Sequence, residues 1–77
     1  MTTGAQHLRK VWGAEIRKRR LALSLSQAAL GAAVGVSQQT VAEWEAGSSA
    51  PRDALRAAVA RTLGTTAGKL FTWGEVA

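Results

Sequence analysis

The sequence predicts an all-α fold, a compact bundle of five short helices in one domain. Three observations point there. Apolar residues recur at three- and four-residue spacing, a Ser or Thr precedes and a Gly follows most of these runs, and residues are 47% hydrophobic but only 5% aromatic. A core built mainly from Ala, Leu and Val suits close-packed helices joined by tight turns. Seventy-seven residues allow one modest core and no second domain.

The first helix is expected over residues 6–23, where Leu8, Trp12, Ile16 and Leu23 share a face and Gly13 is the weak point. Arg20 falls four residues after Ile16 and three before Leu23. It therefore faces inward and needs a partner. Ser26 is a good N-cap for a second helix over residues 27–34, with Leu30, Ala33 and Val34 along one side and Gly35 as a left-handed stop.

Only Val36 separates Gly35 from Ser37, a second N-cap, which opens a third helix over residues 38–46. Val41 and Trp44 point inward there, and Gly47 closes it. Ser48, Ser49, Ala50 and Pro51 read as a loop, with Pro51 at or just before the start of a fourth helix over residues 52–63 that buries Leu55, Val59 and Leu63. Gly64 ends it. Thr66 caps a last short helix, and Leu70, Phe71 and Trp73 return apolar bulk to the core or to a partner. Residues 1–13 form an N-terminal extension continuing into the first helix, 14–71 the domain proper, and 72–77 a C-terminal tail.

The formal charge is +5, and it is uneven: Arg9, Lys10, Arg17, Lys18, Arg19 and Arg20 crowd the first twenty residues against Glu15 alone. Such a stripe attracts phosphate polyanions, although charge by itself reads equally well as a solvated helix face. With no cysteine, disulfides and thiolate metal sites are excluded. No apolar run approaches the roughly 20 residues that cross a bilayer, and no basic-then-apolar leader opens the chain. The expectation is a cytoplasmic protein with no membrane contact.

Two short helices joined by a glycine-centred tight turn, the second opening on polar residues, form the geometry that lets one helix enter a DNA major groove. Gly31 allows the two helices to approach, and Gly35 takes the turn conformation. The residues Ile16-x-x-x-Arg20, Leu25-Ser26-Gln27-x-x-Leu30-Gly31, Gly35-Val36-Ser37, Val41-x-x-Trp44-Glu45-x-Gly47, Pro51 and Leu55 together resemble the Cro/cI-type helix-turn-helix family, also called the XRE family, which includes the lambdoid phage repressors. The resemblance covers residues 14–71. It implies the lambda-repressor-like five-helix fold and sequence-specific binding of double-stranded DNA as a homodimeric transcriptional repressor.

Carried over by position, the resemblance implies that Gln27 touches a phosphate and braces the first residue of the third helix, and that Ser37 faces a phosphate. Gln38, Gln39, Thr40 and Glu43 fall at base-reading positions. The chemistry suits Gln, whose amide donates to and accepts from an adenine edge at once, and Thr, whose methyl meets thymine. Glu43 is repelled by phosphate and is useful only by accepting from cytosine or orienting a neighbour.

The third helix has Glu43 and Glu45 but no cation, and where the family often has basic residues before the proline this chain has Ser48, Ser49 and Ala50. Backbone attraction is therefore assigned to Arg17, Arg52 and Arg56. The resemblance also implies a structural ion pair between Arg20 and Glu45, tying the first helix to the third. Phe71 and Trp73 are the candidate dimer contacts.

No catalytic constellation is evident: His7 is the sole histidine, and no nucleophile has a base. No metal, cofactor or small-molecule ligand is expected. The main competing expectation is an antitoxin or protein-interaction adaptor on the same fold, with weak or no DNA binding. A membrane-surface helix fits residues 5–23 alone.

Overall fold

The computed structural model describes residues 4–71, the side chain of Ala5 excepted, as five helices: α1 (Gly4–Ala22), α2 (Gln27–Val34), α3 (Gln38–Ala46), α4 (Asp53–Thr62) and α5 (Ala67–Leu70). No strand occurs among the described residues. α3 packs between α1 and α2, α4 covers α2, and α5 returns to α4 and α1.

α1 buries Leu8, Trp12, Ile16 and Arg20, a four-residue stripe along one side. Leu8 and Trp12 thus belong to the same core as the rest, and the helix runs unbroken through residues 13 and 14. Leu23 does not join the stripe. The helix ends at Ala22, the chain turns through Ser24 at φ 58°, and Leu23 is left 49% exposed. Leu25 packs against the core instead, its amide donating to the Arg20 carbonyl at 3.0 Å.

α2 and α3 are marked chemically at both ends. The Ser26 hydroxyl accepts from the Ala29 amide at 2.9 Å, and the Ser37 hydroxyl accepts from the Thr40 amide at 3.1 Å. Gly35 (φ 82°) and Gly47 (φ 80°) turn left-handed at the far ends, where L side chains are strained. Within α2, Leu30, Gly31 and Val34 are buried, whereas Ala33 is exposed. It lies on the far side of Leu30 from Gly31 and Val34, outside the arc that faces α3 and α4. A Cβ on Gly31 would stand 2.6 Å from the Val36 carbonyl oxygen, so the close approach is to the turn that leads into α3.

The helices also approach closely where α1 crosses α3. A Cβ on Gly13 would overlap the Trp44 carbonyl oxygen and lie 2.9 Å from that of Glu45. Gly13, a weak point by helix propensity, is the residue that lets these backbones meet. On the other side of the bundle the Phe71 ring meets Trp12 edge to face at 5.4 Å, and the Arg56 guanidinium lies 4.8 Å from the Trp12 ring centre and 5.6 Å from that of Phe71. Trp12 therefore closes the core against α5.

Candidate nucleic-acid interface

α3 presents two unlike sides. Val41 and Trp44 are buried, while Gln38, Gln39, Glu43 and Ala46 are exposed, with Ala42 half-buried among them. These five positions lie within about 140° of arc on a helix, a single outward strip. Thr40 falls outside it. Half-buried, it faces a recess lined also by Val36, Trp44, Ser49 and Leu55, and its hydroxyl lies 3.0 Å from that of Ser37. The structure thus brings Gln38, Gln39 and Glu43 together and sets Thr40 on the flank. The Gln39 amide donates to Glu43 at 3.4 Å, which holds the glutamine along the helix and leaves the carboxylate partly engaged.

Glu45, two residues on, has a different environment. Arg20 Nε donates to Glu45 Oε2 at 2.6 Å and its second terminal nitrogen to Oε1 at 2.9 Å, a bidentate pair whose side chains are only 7% and 4% exposed. The remaining Arg20 terminal nitrogen donates to the Leu25 carbonyl at 2.8 Å. Burial pushes the Glu45 carboxyl up, but hydrogen bonds from Arg20 and Gln27 and the charges of Arg20 and Arg17 outweigh it, so its pKa falls below the ordinary value. The hydrogen bond to Glu45 raises the Arg20 pKa against the cost of burial. With Glu45 neutralised inside, Glu43 is the only carboxylate on the outer strip.

Gln27 braces a different residue from the one expected. Its amide nitrogen donates to Glu45 Oε1 at 3.1 Å, tying the start of α2 to the last turn of α3 rather than to Gln38. Geometry explains the choice: Glu45 and Arg20 already meet beside the start of α2, where a buried carboxylate oxygen is a stronger acceptor than an exposed amide.

The cations divide likewise. Arg17 keeps 60% of its side chain exposed, at 3.9 Å from Glu45, and Arg52 is exposed at the N-cap of α4 without capping it. Arg56 is engaged within the bundle: its Nε donates to the Pro51 carbonyl at 3.0 Å, one terminal nitrogen pairs with Asp53 at 2.9 Å, and its guanidinium carbon lies near the Trp12 and Phe71 rings. It thus packs against the bundle while 24% of its side chain stays exposed. Phe71 is also engaged within the monomer, only 4% exposed, so its ring is not on a free surface for dimer contact. Trp73 lies outside the described residues.

Sequence reasoning missed the close approach at Gly13 and, although it counted Lys10 in the basic stripe, the place of Lys10 beside the end of α3. Lys10, on the first turns of α1, packs its stem against Gly47, where a Cβ would stand 2.7 Å from Lys10 Cγ. The clue was available in the four- and three-residue spacing of Lys10, Gly13, Arg17 and Arg20 on one side of α1. Among the described residues no helix is long and apolar enough to cross a membrane, and no three metal-ligating side chains cluster.

The same arrangement occurs in proteins of known structure. The P22 c2 repressor, crystallised with the synthetic operator 9T, aligns over 80% of this chain and 94% of its own with a TM-score of 0.78 and 34% identity. The clp gene regulator ClgR from Corynebacterium glutamicum aligns over 82% and 67%, with a TM-score of 0.77 and 28% identity. HppE, in its FeII complex with substrate, aligns over 82% of this chain but only 36% of its own, with a TM-score of 0.73 and 28% identity. No curated protein sequence matches the chain. The helix-turn-helix family profile matches residues 16–70, well over half of the sequence. The chain belongs to the helix-turn-helix family, and its fold and motif residues are of the Cro/cI type.

Proposed function

We propose that this protein is a sequence-specific double-stranded DNA-binding transcriptional regulator, acting as a repressor, that lays α3 in the major groove. The observation that carries the reading is the outer strip of α3. Its exposed polar residues make no contact with the core, while the opposite side of the same helix is fixed by Val41, Trp44 and the Glu45 ion pair. Its family membership and its likeness to a repressor crystallised on an operator support it.

In this reading Gln38 and Gln39 are the principal base readers, each able to donate to and accept from an adenine edge. Glu43 orients Gln39, and releases it to accept from a cytosine amine where the sequence offers one. Thr40, on the flank, meets the edge of the groove. Ser37, Gln27, Arg17 and Arg52 face phosphates. Arg17 is the best placed of these, because it is charged, exposed and next to the start of α2. A homodimer would place two such helices about 34 Å apart, matching half-sites one helical turn apart.

Selecting bound duplexes from a random pool tests the reading in one experiment. The expected result is an enriched sequence with two-fold symmetry whose binding falls steeply with salt. Failure to enrich any sequence at low salt overturns it.

A second reading, an adaptor that binds protein, is favoured by one specific region. Leu21 and Leu23 are 53% and 49% exposed, and next to them in sequence α2 exposes Ala28, Ala29, Ala32 and Ala33 with no charged residue. The same selection separates the two, because an adaptor enriches nothing.

A further inference from the structure

We propose that the first turns of α1 form a second phosphate-binding point, at the C-terminal end of α3, and so supply the cations that Ser48, Ser49 and Ala50 do not. The proposal rests on the DNA-reading function above and adds a site to it. Gln6, Arg9, Lys10, Gly47 and Ser48 line an open recess of about 310 Å³. Two of these five residues are cations, and no carboxylate lines the recess. Arg9 Nε is buried without a hydrogen-bond partner among the described residues, a donor that the fold itself leaves unmet.

The backbone geometry keeps the site accessible and fixed. Gly47 turns left-handed at φ 80° and presses on Lys10, so no side chain there separates the α1 cations from the end of α3. Ala46 and Ser48 are both exposed and small. The outer strip of α3 therefore runs without obstruction from Gln38 to the recess. Nine residues at 1.5 Å each span about 13 Å, close to the roughly 12 Å width of the major groove. With Ser37 and Gln27 near one wall of the groove, the recess reaches the other. The ligands are adjacent backbone phosphodiesters, one to each cation, recognised by charge and not by base sequence.

A different role fits the same cations, namely compensation of the negative end of α3. The experiment distinguishes them. Binding of the selected operator and of a scrambled duplex is measured against salt for the full chain and for the double variant Arg9→Gln/Lys10→Gln, with thermal unfolding recorded alongside. The expected result is a salt slope shallower by about two and an equal weakening on both duplexes, since each lost phosphate contact removes about one from the slope.

Adding Ser48→Lys to the double variant should restore about one unit of slope, because it puts a cation back at the same place. If the double variant unfolds, Lys10→Gln alone decides, with an expected loss of about one unit. An unchanged slope in a folded variant overturns the proposal, and so does a response to free inorganic phosphate without a change in duplex binding. Should the wild-type chain bind no duplex, the DNA reading fails as well. If the wild type binds, Gln38→Ala weakens discrimination, and the slope of the double variant is unchanged, only this second site is lost.

Discussion

The two sides of α3 show how one nine-residue helix serves two purposes. Its inner side carries Glu45, bonded to Arg20 and Gln27 and nearly closed to solvent, while its outer side carries Glu43, two residues away, with one long hydrogen bond from Gln39. The same carboxylate group is a structural tie in one place and an adjustable surface group in the other. The difference is burial: a partner lost inside leaves an uncompensated charge, whereas one lost outside is replaced by water.

Breaking the inner side should cost most. Glu45→Ala is expected to destabilise the fold by about 3–5 kcal/mol, since it strands the buried Arg20 guanidinium, and denaturant unfolding measures it. The pH dependence sharpens the point. A carboxyl whose pKa is lowered on folding adds stability above its ordinary value of 4.5, and that stability is lost as pH falls through the lower folded value. The stability gap between wild type and Glu45→Gln should therefore narrow steadily in acid below about pH 4.5.

Gly13→Ala comes next. Helix propensity favours Ala by about 1 kcal/mol, but the new methyl overlaps the Trp44 carbonyl, and backbone cannot yield as a side-chain tip can. A net loss of about 1–3 kcal/mol is expected, read as a lower midpoint of thermal unfolding. Ser37→Ala removes the cap on the α3 amides and should cost about 1 kcal/mol by the same measurement. The outer side should scarcely register: Gln38→Ala and Glu43→Ala are expected to stay within about 0.5 kcal/mol in stability. Gln38→Ala should nevertheless reduce discrimination between operator and mismatched duplex by about 1–3 kcal/mol in competition binding. A large stability loss in either outer variant would break the comparison.

How much of this was legible in the residues follows from how each feature is encoded. α2 and α3 are bounded where the capping serines and left-handed glycines stand, because those ends are chemically marked. Arg20 was legible as an inward cation, and the family resemblance named Glu45 as its partner, which is where its guanidinium lies. The inward assignment of Ala33 failed because it falls outside the buried arc of α2, and that of Leu23 for a different reason. Periodicity extends a stripe until told to stop, and nothing local announced the left-handed Ser24 that ends α1 early.

The contacts of Gly13, Gln27 and Arg56 were not legible because they depend on what lies across the fold. A helical glycine shows its propensity cost in the sequence but not the carbonyl above it. Arg56 looks like a free cation until Trp12 and Phe71, 44 and 15 residues away in the chain, close around it. Sequence spacing reports neighbours on one helix and is silent about neighbours on another.

The Gly13 crossing has a consequence for how this molecule can diversify. Because α3 is gripped from behind, through backbone contact and the Arg20–Glu45 pair, positions 38, 39, 42 and 43 are relieved of holding the helix in place. They behave as an interchangeable cassette on a fixed mount. A library randomised at those four positions should remain folded almost throughout while its members part company in what they select. A change at position 13 would instead loosen every member of the library at once.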